Sequence, residues 1–392
     1  MKKRVQNRHK HSQSAGRAQA ALPALSSLEG IPAFESLEAT EEQRSAFAEA
    51  SRRLAAEEVA DPAEYELGCV VRLDRGFPAV LTERRLARAE FAAGLTKERF
   101  SKAAVGDWVC VRYPEGHDGV LLEEILPRRS ALERWRGGAR GEKQTLAANV
   151  GLVLVAQALG PEPVICDRLV RSAVVVRDCG AQVACVLTKA DRAGGGARLA
   201  EDIDRVRRVL GEKVPIVACA LGEKDSSELA ACARAKGAGW GEEGILSLVS
   251  PGTVACILGE SGAGKSTLLN ALLGRNLLKT GAVRSSDDAG RHTTVSRRMV
   301  AIPSGGTIVD MPGIRSLPLV GHERGLAKVF PEIADAARSC RFRDCTHTHE
   351  PGCAVREALA EGAFCQERYD AYVALAQEMR RSAETLDPDI VL

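Results

Sequence analysis

The chain has 392 residues, 45% of them apolar, with 54 basic and 52 acidic side chains and a formal net charge of +2. A length of this order predicts two to three domains. No apolar run approaches the roughly 20 residues of a membrane span, and no apolar segment follows the first basic residues as a secretory signal requires. A soluble, cytoplasmic protein is expected.

The charge is unevenly spread. Residues 1–17 hold Lys2, Lys3, Arg4, Arg8, Lys10 and Arg17, with His9 and His11, and no acid. Such an arm has almost nothing apolar to bury, reads as disordered and suits a phosphate backbone. Residues 29–66 then turn acidic, with an Ala- and Glu-rich helical pattern over 41–60 that carries no legible function. Arm and helical extension are taken together as a first unit, 1–64.

From 65 to 127 the pattern changes to short β-type runs, at 70–73, 78–81, 108–113 and 119–125, separated by Gly, Pro and Asp. Short strands at regular spacing suggest a small barrel. Arg84, Arg85, Arg88, Lys97, Arg99 and Lys102 lie between two of the runs and could make a basic surface. Trp108 sits among alternating apolar residues and is expected in the core.

From 149 to 318 apolar strand candidates (150–156, 183–187, 214–218, 254–258, 307–310) alternate with helical segments (199–210, 265–273). That alternation argues a parallel sheet flanked by helices. The second strand candidate ends in Thr188, Lys189, Ala190 and Asp191. An Asp there can accept from the N1–H and N2–H₂ edge of guanine, which adenine does not offer. About seventy residues later come Gly259, Glu260, Ser261, Gly262, Ala263, Gly264, Lys265, Ser266 and Thr267, a full G-x-x-x-x-G-K-[ST] between a strand and a helix. The glycines let backbone N–H groups surround phosphate oxygens, and the helix start adds its positive end. Lys265 is expected on the β- and γ-phosphates and Ser266 on Mg²⁺. Gly290, Arg291, His292, Thr293 and Thr294 then supply a threonine hydroxyl to close over the metal. Asp310, Met311, Pro312 and Gly313 end the last strand, Asp310 to support Mg²⁺ through water and Gly313 to sense the γ-phosphate. The order is base motif, phosphate loop, then the two switches: a circularly permuted GTPase. Permutation keeps a core because domain termini tend to lie close together at the surface.

Cys340, Cys345, His347 and Cys353 follow within fourteen residues. Three thiolates and one imidazole make the set of a closed structural zinc site, one ion per chain. His349 offers a second imidazole, and His347 is favoured. Twelve cysteines with no secretory signal read as a reducing compartment, where clustered Cys and His suggest metal. The other nine are scattered through apolar runs as small buried hydrophobes.

These motifs, with Val105-Gly-Asp-Trp108, Leu126-Pro-Arg-Arg-Ser130 and Arg341-Phe-Arg-Asp-Cys345, resemble RsgA-type ribosome small-subunit-dependent GTPases, over about residues 67–370. The resemblance implies a multidomain α/β protein: an N-terminal OB-fold barrel at 65–128, a circularly permuted phosphate-loop GTPase domain at 129–318 and a helical zinc-binding module at 319–392. It implies GTP and GDP as ligands, the small ribosomal subunit and its rRNA as partner, no membrane, and a monomer. Thr188 stands where the family has Asn, leaving open how the loop is braced, and residues 217–220 lack the family's Ser-Ala pair. Ile314 and Arg315 follow Gly313 where many GTPases place a water-orienting Gln. Slow intrinsic hydrolysis is therefore expected, with His292 the nearest candidate to position water. The alternative reading is an RNA-binding phosphate-loop NTPase or scaffold whose nucleotide site is mainly regulatory.

Overall fold

The computed structural model of the chain describes residues 24, 25, 28–74, 77–97, 103–114, 116, 119–136, 142–221, 226–274, 297–311, 319 and 321–384. The basic arm at 1–17, Arg99, Lys102, and the switch residues His292, Thr293, Thr294 and Gly313 lie outside them.

The first helix, α1 (Glu41–Glu58), begins where Thr40 and Gln43 cap each other. The Thr40 hydroxyl accepts from the Gln43 backbone N–H, and the Gln43 side chain accepts from the Thr40 N–H, satisfying two donors a helix start leaves unpaired. The helix stops at Glu58, short of the expected 60, because Val59 turns left-handed at φ 52°. The segment before it forms a strap. The Gly30 carbonyl accepts from Ala301 N–H at 2.8 Å, and Phe34 meets Trp108 edge-on at 5.7 Å between ring centres. Gln43 Nε2 donates to Pro127 O at 2.9 Å and to Asn149 Oδ1 at 3.0 Å. The acidic extension that carried no legible role is thus a clamp across the joint between two other parts of the fold.

Five strands make the first of those parts: β1 (Tyr65–Asp74), β2 (Phe77–Thr82), β3 (Leu86–Phe91), then a short helix α2 (Ala93–Lys97), β4 (Trp108–Arg112) and β5 (Val120–Ile125). Their order, β1-β2-β3-β5-β4 with β4 returning to β1, closes an OB-type barrel, β3 and β5 being the parallel pair. Val70, Val80, Val109, Val111 and Leu122 fill its interior. Trp108 is buried, as expected, under the strap. β3 was hidden in the sequence by Arg88 and by the two arginines that precede it, Arg84 and Arg85. Arg84 and Arg85 both reach the carboxylate of Glu66, and Arg88 reaches Asp74, which Arg72 also holds, so two acids partly offset four cations on this side of the barrel.

A hairpin of β6 (Ala131–Arg136) and β7 (Glu142–Ala148) leads into the second part. There β8 (Leu152–Ala158), α3 (Cys166–Asp178), β9 (Gln182–Thr188), α4 (Gly196–Leu210), β10 (Ile216–Ala218), α5 (Ser227–Ala235), β11 (Gly239–Trp240) and α6 (Gly241–Leu246) wind outward in one direction. The chain then returns through β12 (Val254–Gly259), α7 (Lys265–Leu272), β13 (Arg297–Ala301) and β14 (Thr307–Asp310) on the other side of β8. The sheet order is β11-β10-β9-β8-β12-β14-β13, parallel except for β13. Alternate residues enter different cores: Val153, Val155, Cys185 and Cys256 pack with α3 and α4, whereas Leu154, Val186, Ala255 and Ile257 pack with α6 and α7. A sheet covered on both faces explains why its strands read as continuous apolar runs. Winding reverses between β8 and β12, and the crevice at the carboxyl ends of these strands is where open α/β sheets bind ligands.

The sheet and the barrel share an edge. β13 pairs with β14 on one side and with β1 on the other, Arg298 standing opposite both Asp310 and Arg72. A second tie joins the motifs at 105–108 and 126–130. Asp107, fully buried, takes two hydrogen bonds from Arg128, at 2.6 and 2.8 Å, and Ser130 Oγ donates to Val150 O at 2.7 Å.

After the sheet come α8 (Glu323–Val329), α9 (Pro331–Ala337), α10 (Ala354–Ala360) and α11 (Gln366–Glu384). α8 lies so close to α3 that a Cβ at Gly325 would fall 2.0 Å from Val174 O. Arg368 of α11 is buried and donates to Val209 O and Val329 O at 2.6 Å each and to Glu332, its guanidinium 4.8 Å from the centre of the Phe330 ring. Arg171 of α3 holds Glu378 of α11 by two hydrogen bonds, which keep that carboxyl below its usual range. Removing a buried charge that serves three partners leaves each of them desolvated and unpaired. Arg368→Leu should cost about 3 kcal/mol, read as an earlier urea midpoint. An unchanged midpoint would mean that α11 docks without this residue.

Candidate functional site

Three sequence motifs meet in the crevice at the carboxyl ends of β9, β12 and β14. β12 ends at Gly259, whose φ of 151° lets it pass β8 where a Cβ would stand 2.5 Å from Ala156 O. Glu260, Ser261, Gly262, Ala263 and Gly264 form the loop, and Lys265 opens α7. Gly262 and Gly264, at φ 84° and 78°, take left-handed turns that only glycine adopts freely. The first turn of α7 presents backbone N–H groups without partners in the helix, together with the exposed side chains of Ser266 and Thr267. That is a cradle for an anion. Lys265 Nζ lies folded over the loop, donating to Gly259 O and Glu260 O at 2.6 Å each. Glu260, an acid placed where phosphates are expected, is paired with Arg168 of α3. Sequence reading did not single out Arg168, whose contact spans 92 positions.

The base motif is clamped to this loop. Thr188, the last residue of β9, is buried, and its hydroxyl donates to Ala263 O at 2.8 Å. Lys189, left-handed at φ 56°, extends Nζ to Gly262 O at 2.6 Å. The brace left open by the change from Asn to Thr is therefore made by the hydroxyl. Ala190 is buried and its N–H donates to Cys219 O at 3.1 Å, which ties the motif to the segment 217–220. Asp191, next in line, is held out toward solvent with Arg192 3.8 Å away.

Asp310 closes β14, beside β12. Burial raises its carboxyl above the usual range, and Arg298 Nε, 3.6 Å away across the strand pair, opposes the shift. Arg298 was also missed; its only signal is a basic pair, Arg297 and Arg298, ahead of an apolar strand.

A separate cluster stands in the C-terminal helices. Cys340 Sγ, Cys345 Sγ, Cys353 Sγ and a His347 ring nitrogen lie within 4.8 Å of one another, a group that could hold a metal ion. His347 Nδ1 is 3.6 Å from Cys340 Sγ and 3.5 Å from Cys353 Sγ. Its backbone is left-handed, φ 65°, and its carbonyl accepts from Tyr369 Oη. His349 is exposed, with its Nδ1 2.9 Å from Thr348 Oγ1, and is no part of the group. Burial lowers the His347 imidazole and pushes the Cys345 thiol up to about 12. A neutral imidazole is ready to ligate, whereas the thiols must surrender protons to a cation. Glu350 organises the loop between the last two members. Its carboxylate takes the Thr346 hydroxyl and the N–H groups of Thr346, Thr348 and His349, which hold it well below the usual carboxylate range.

A family model described as "RsgA GTPase" matches residues 125–320. The "Small ribosomal subunit biogenesis GTPase RsgA" of Streptomyces avermitilis is 39% identical over 321 residues, covering 82% of this chain and 81% of that protein. The protein of the same name from Methanosarcina acetivorans is 37% identical, over 70% of this chain and 69% of its own length. Among solved structures, YjeQ from Thermotoga maritima matches with a TM-score of 0.57 and 22% identity, over 81% of this chain and 99% of that one. YloQ, "a circularly permuted GTPase", matches with a TM-score of 0.55 and 21% identity, over 81% and 96%. The two structures bear on the fold, the two sequences on the family.

The clamp at Thr188 has a measurable consequence. Thr188→Val keeps the shape and removes the hydroxyl, leaving Ala263 O without its donor. Nucleotide affinity should fall about tenfold, the equivalent of one neutral hydrogen bond near the upper end of its range, with Thr188→Asn close to the wild type. Equal affinity of the valine variant in a fluorescent-nucleotide titration would show that the loop holds itself.

Proposed function

The chain belongs to the RsgA GTPase family and hydrolyses GTP, and we propose that it spends that hydrolysis on late maturation of the small ribosomal subunit. The observation that carries the reading is the joining of Thr188 and Lys189 to Ala263 and Gly262, which puts a base-reading residue and a phosphate cradle in one crevice. Guanine lies against Asp191, whose carboxylate accepts from the N1–H and N2–H₂ edge. The triphosphate lies along Gly259 to Thr267, and Lys265 turns from the loop carbonyls to the β- and γ-oxygens.

Mg²⁺ fits the donors present. Ser266 offers an exposed hydroxyl and Asp310 a half-buried carboxylate with Arg298 Nε 3.6 Å away, and hard oxygen donors suit this ion. When bound it neutralises charge on the phosphate oxygens. Water attacks the γ-phosphorus in line, the bond to the β–γ bridging oxygen breaks, and GDP and phosphate leave. Thr293 or Thr294 and Gly313 are the groups proposed to read the γ-phosphate, with His292 to position the water. With Ile314 and Arg315 where a Gln would stand, hydrolysis waits for a partner that completes the site.

That partner is the small subunit, met through its rRNA. The zinc module offers Phe342, exposed, beneath the Arg341 guanidinium at 5.5 Å and beside Arg343, a surface suited to stacking on RNA bases and pairing with phosphates. The basic arm adds charge. No helix among the described residues is long and apolar enough to cross a membrane, and a cytoplasmic monomer suits a factor that docks one copy per subunit.

GTP turnover measured with and without purified small subunits tests the whole reading. A marked rise on adding subunits, with tighter binding of the GTP form than of the GDP form, is expected. Turnover indifferent to subunits would overturn it.

Cys340, Cys345, His347 and Cys353 are proposed to hold one structural zinc, and a module this small would draw folding energy from it. Protein purified without added metal should carry about one zinc per chain by elemental analysis. His347→Ala should lose it and His349→Ala should keep it; the reverse pattern would move the fourth ligand to His349.

A further inference from the structure

β13 carries Arg298 between two charges on neighbouring strands, Asp310 on β14 and Arg72 on β1, all in cross-strand register. Side chains opposite one another in adjacent strands stand on one face of the sheet, so the three form a row from the nucleotide crevice to the barrel. Its ends differ. Arg72 is committed to the barrel: its Nε lies 2.8 Å from both oxygens of Asp74, which also takes Arg88 at 3.0 Å. Asp74 is only 4% exposed, so this small cluster is fixed. Arg298 faces Arg72, a like charge, on one side and Asp310 on the other, and its Nε stands 3.6 Å from the Asp310 carboxylate. Electrostatics within the row push Arg298 toward Asp310.

We propose that Arg298 is a positioning residue for the divalent cation: it holds Asp310 as a resident counter-ion that the metal must displace, and the barrel, through β1 and Arg72, sets how firmly it does so. The inference rests on the reading of Asp310 as the metal-supporting carboxylate. Two cations facing one half-buried carboxylate repel each other, so the pair opposes metal entry. β13 is also gripped at its far end by the strap, where Ala301 N–H meets Gly30 O at 2.8 Å. A partner that pulls on the barrel therefore reaches Asp310 through a single strand. Arg298 is a gate on the metal, separate from the groups that touch the nucleotide.

The test measures metal uptake rather than turnover. GDP-loaded, zinc-replete protein is titrated with Mg²⁺ by calorimetry. Arg298→Gln, which removes the charge, should take up Mg²⁺ at about tenfold lower concentration than the wild type, the scale of one charge at about 4 Å in a partly wet site. Arg298→Lys, which keeps the charge, should stay within about twofold of the wild type. Half-saturation of the Gln variant equal to or above that of the wild type would overturn the proposal. In case that variant does not fold, the native protein gives the second measurement: the Arg298 Nε–H resonance should move when Mg²⁺ saturates the GDP complex, and a resonance that stays still overturns the proposal equally. A wild type that takes up no Mg²⁺ with GDP would sink the metal reading of Asp310 itself, and this inference with it. Uptake by the wild type with identical uptake by Arg298→Gln would sink the gate alone.

Discussion

β13 is hydrogen-bonded along both edges, to β14 of the parallel sheet and to β1 of the barrel, and most of the architecture follows from that shared strand. An edge strand of an open sheet exposes unpaired backbone groups and invites unwanted pairing. Here the barrel covers that edge, so the cost of exposing it disappears and two parts of the chain become one body. The buried Asp107–Arg128 pair and the side chain of Asn149, which accepts from Gln43 and Arg129 N–H and donates to Gly106 O, lock the same joint from the other side. The strap at 30–43 crosses it once more.

Permutation depends on a second kind of closure. The base motif and the phosphate loop are some seventy residues apart, in an order opposite to that of most small GTPases, yet both end strands of one parallel sheet, on either side of β8. Their relative position is set by strand order, and the Thr188 hydroxyl on Ala263 O then fixes it to hydrogen-bond precision. Chain order matters little to such a site because the crevice is built by the sheet. What permutation changes is the element that follows the last switch. In this chain that element is the C-terminal helical module, laid on α3 through Gly325 and on α4 through Arg368. α3 carries both Arg168, which pairs with Glu260 of the phosphate loop, and Arg171, which pairs with Glu378 of α11. The loop and the C-terminal module thus share one helix as a common support.

The C-terminal module has a thin core of its own. Val355, Phe364, Leu375 and Met379 are buried in the same continuous cluster as the helices of the sheet domain. It borrows its stability from that contact and from Arg368. Glu350 adds local order, gathering the N–H groups of Thr346, Thr348 and His349 on either side of His347.

Much of this was legible in the residues. The alternation of apolar runs gave the parallel sheet, the glycine spacing gave the phosphate loop, and the Cys and His spacing gave the metal group, because each depends on contacts within a few residues of one another. Thr188 in place of Asn could not be judged from sequence, since its partner is a carbonyl 75 positions away. β3 looked like part of a basic loop because the acids that pair with Arg85 before it and Arg88 within it, Glu66 and Asp74, come from β1. The strap looked functionless because its work lies in Gly30, Phe34 and Gln43 touching residues 301, 108 and 149. Local chemistry, then, was determined by the sequence alone: which loop can take a phosphate, which cluster can take a metal. Only the tertiary structure decided which charges are spent on one another and which remain for a ligand, because the energy of a charge is set by neighbours that chain order does not reveal.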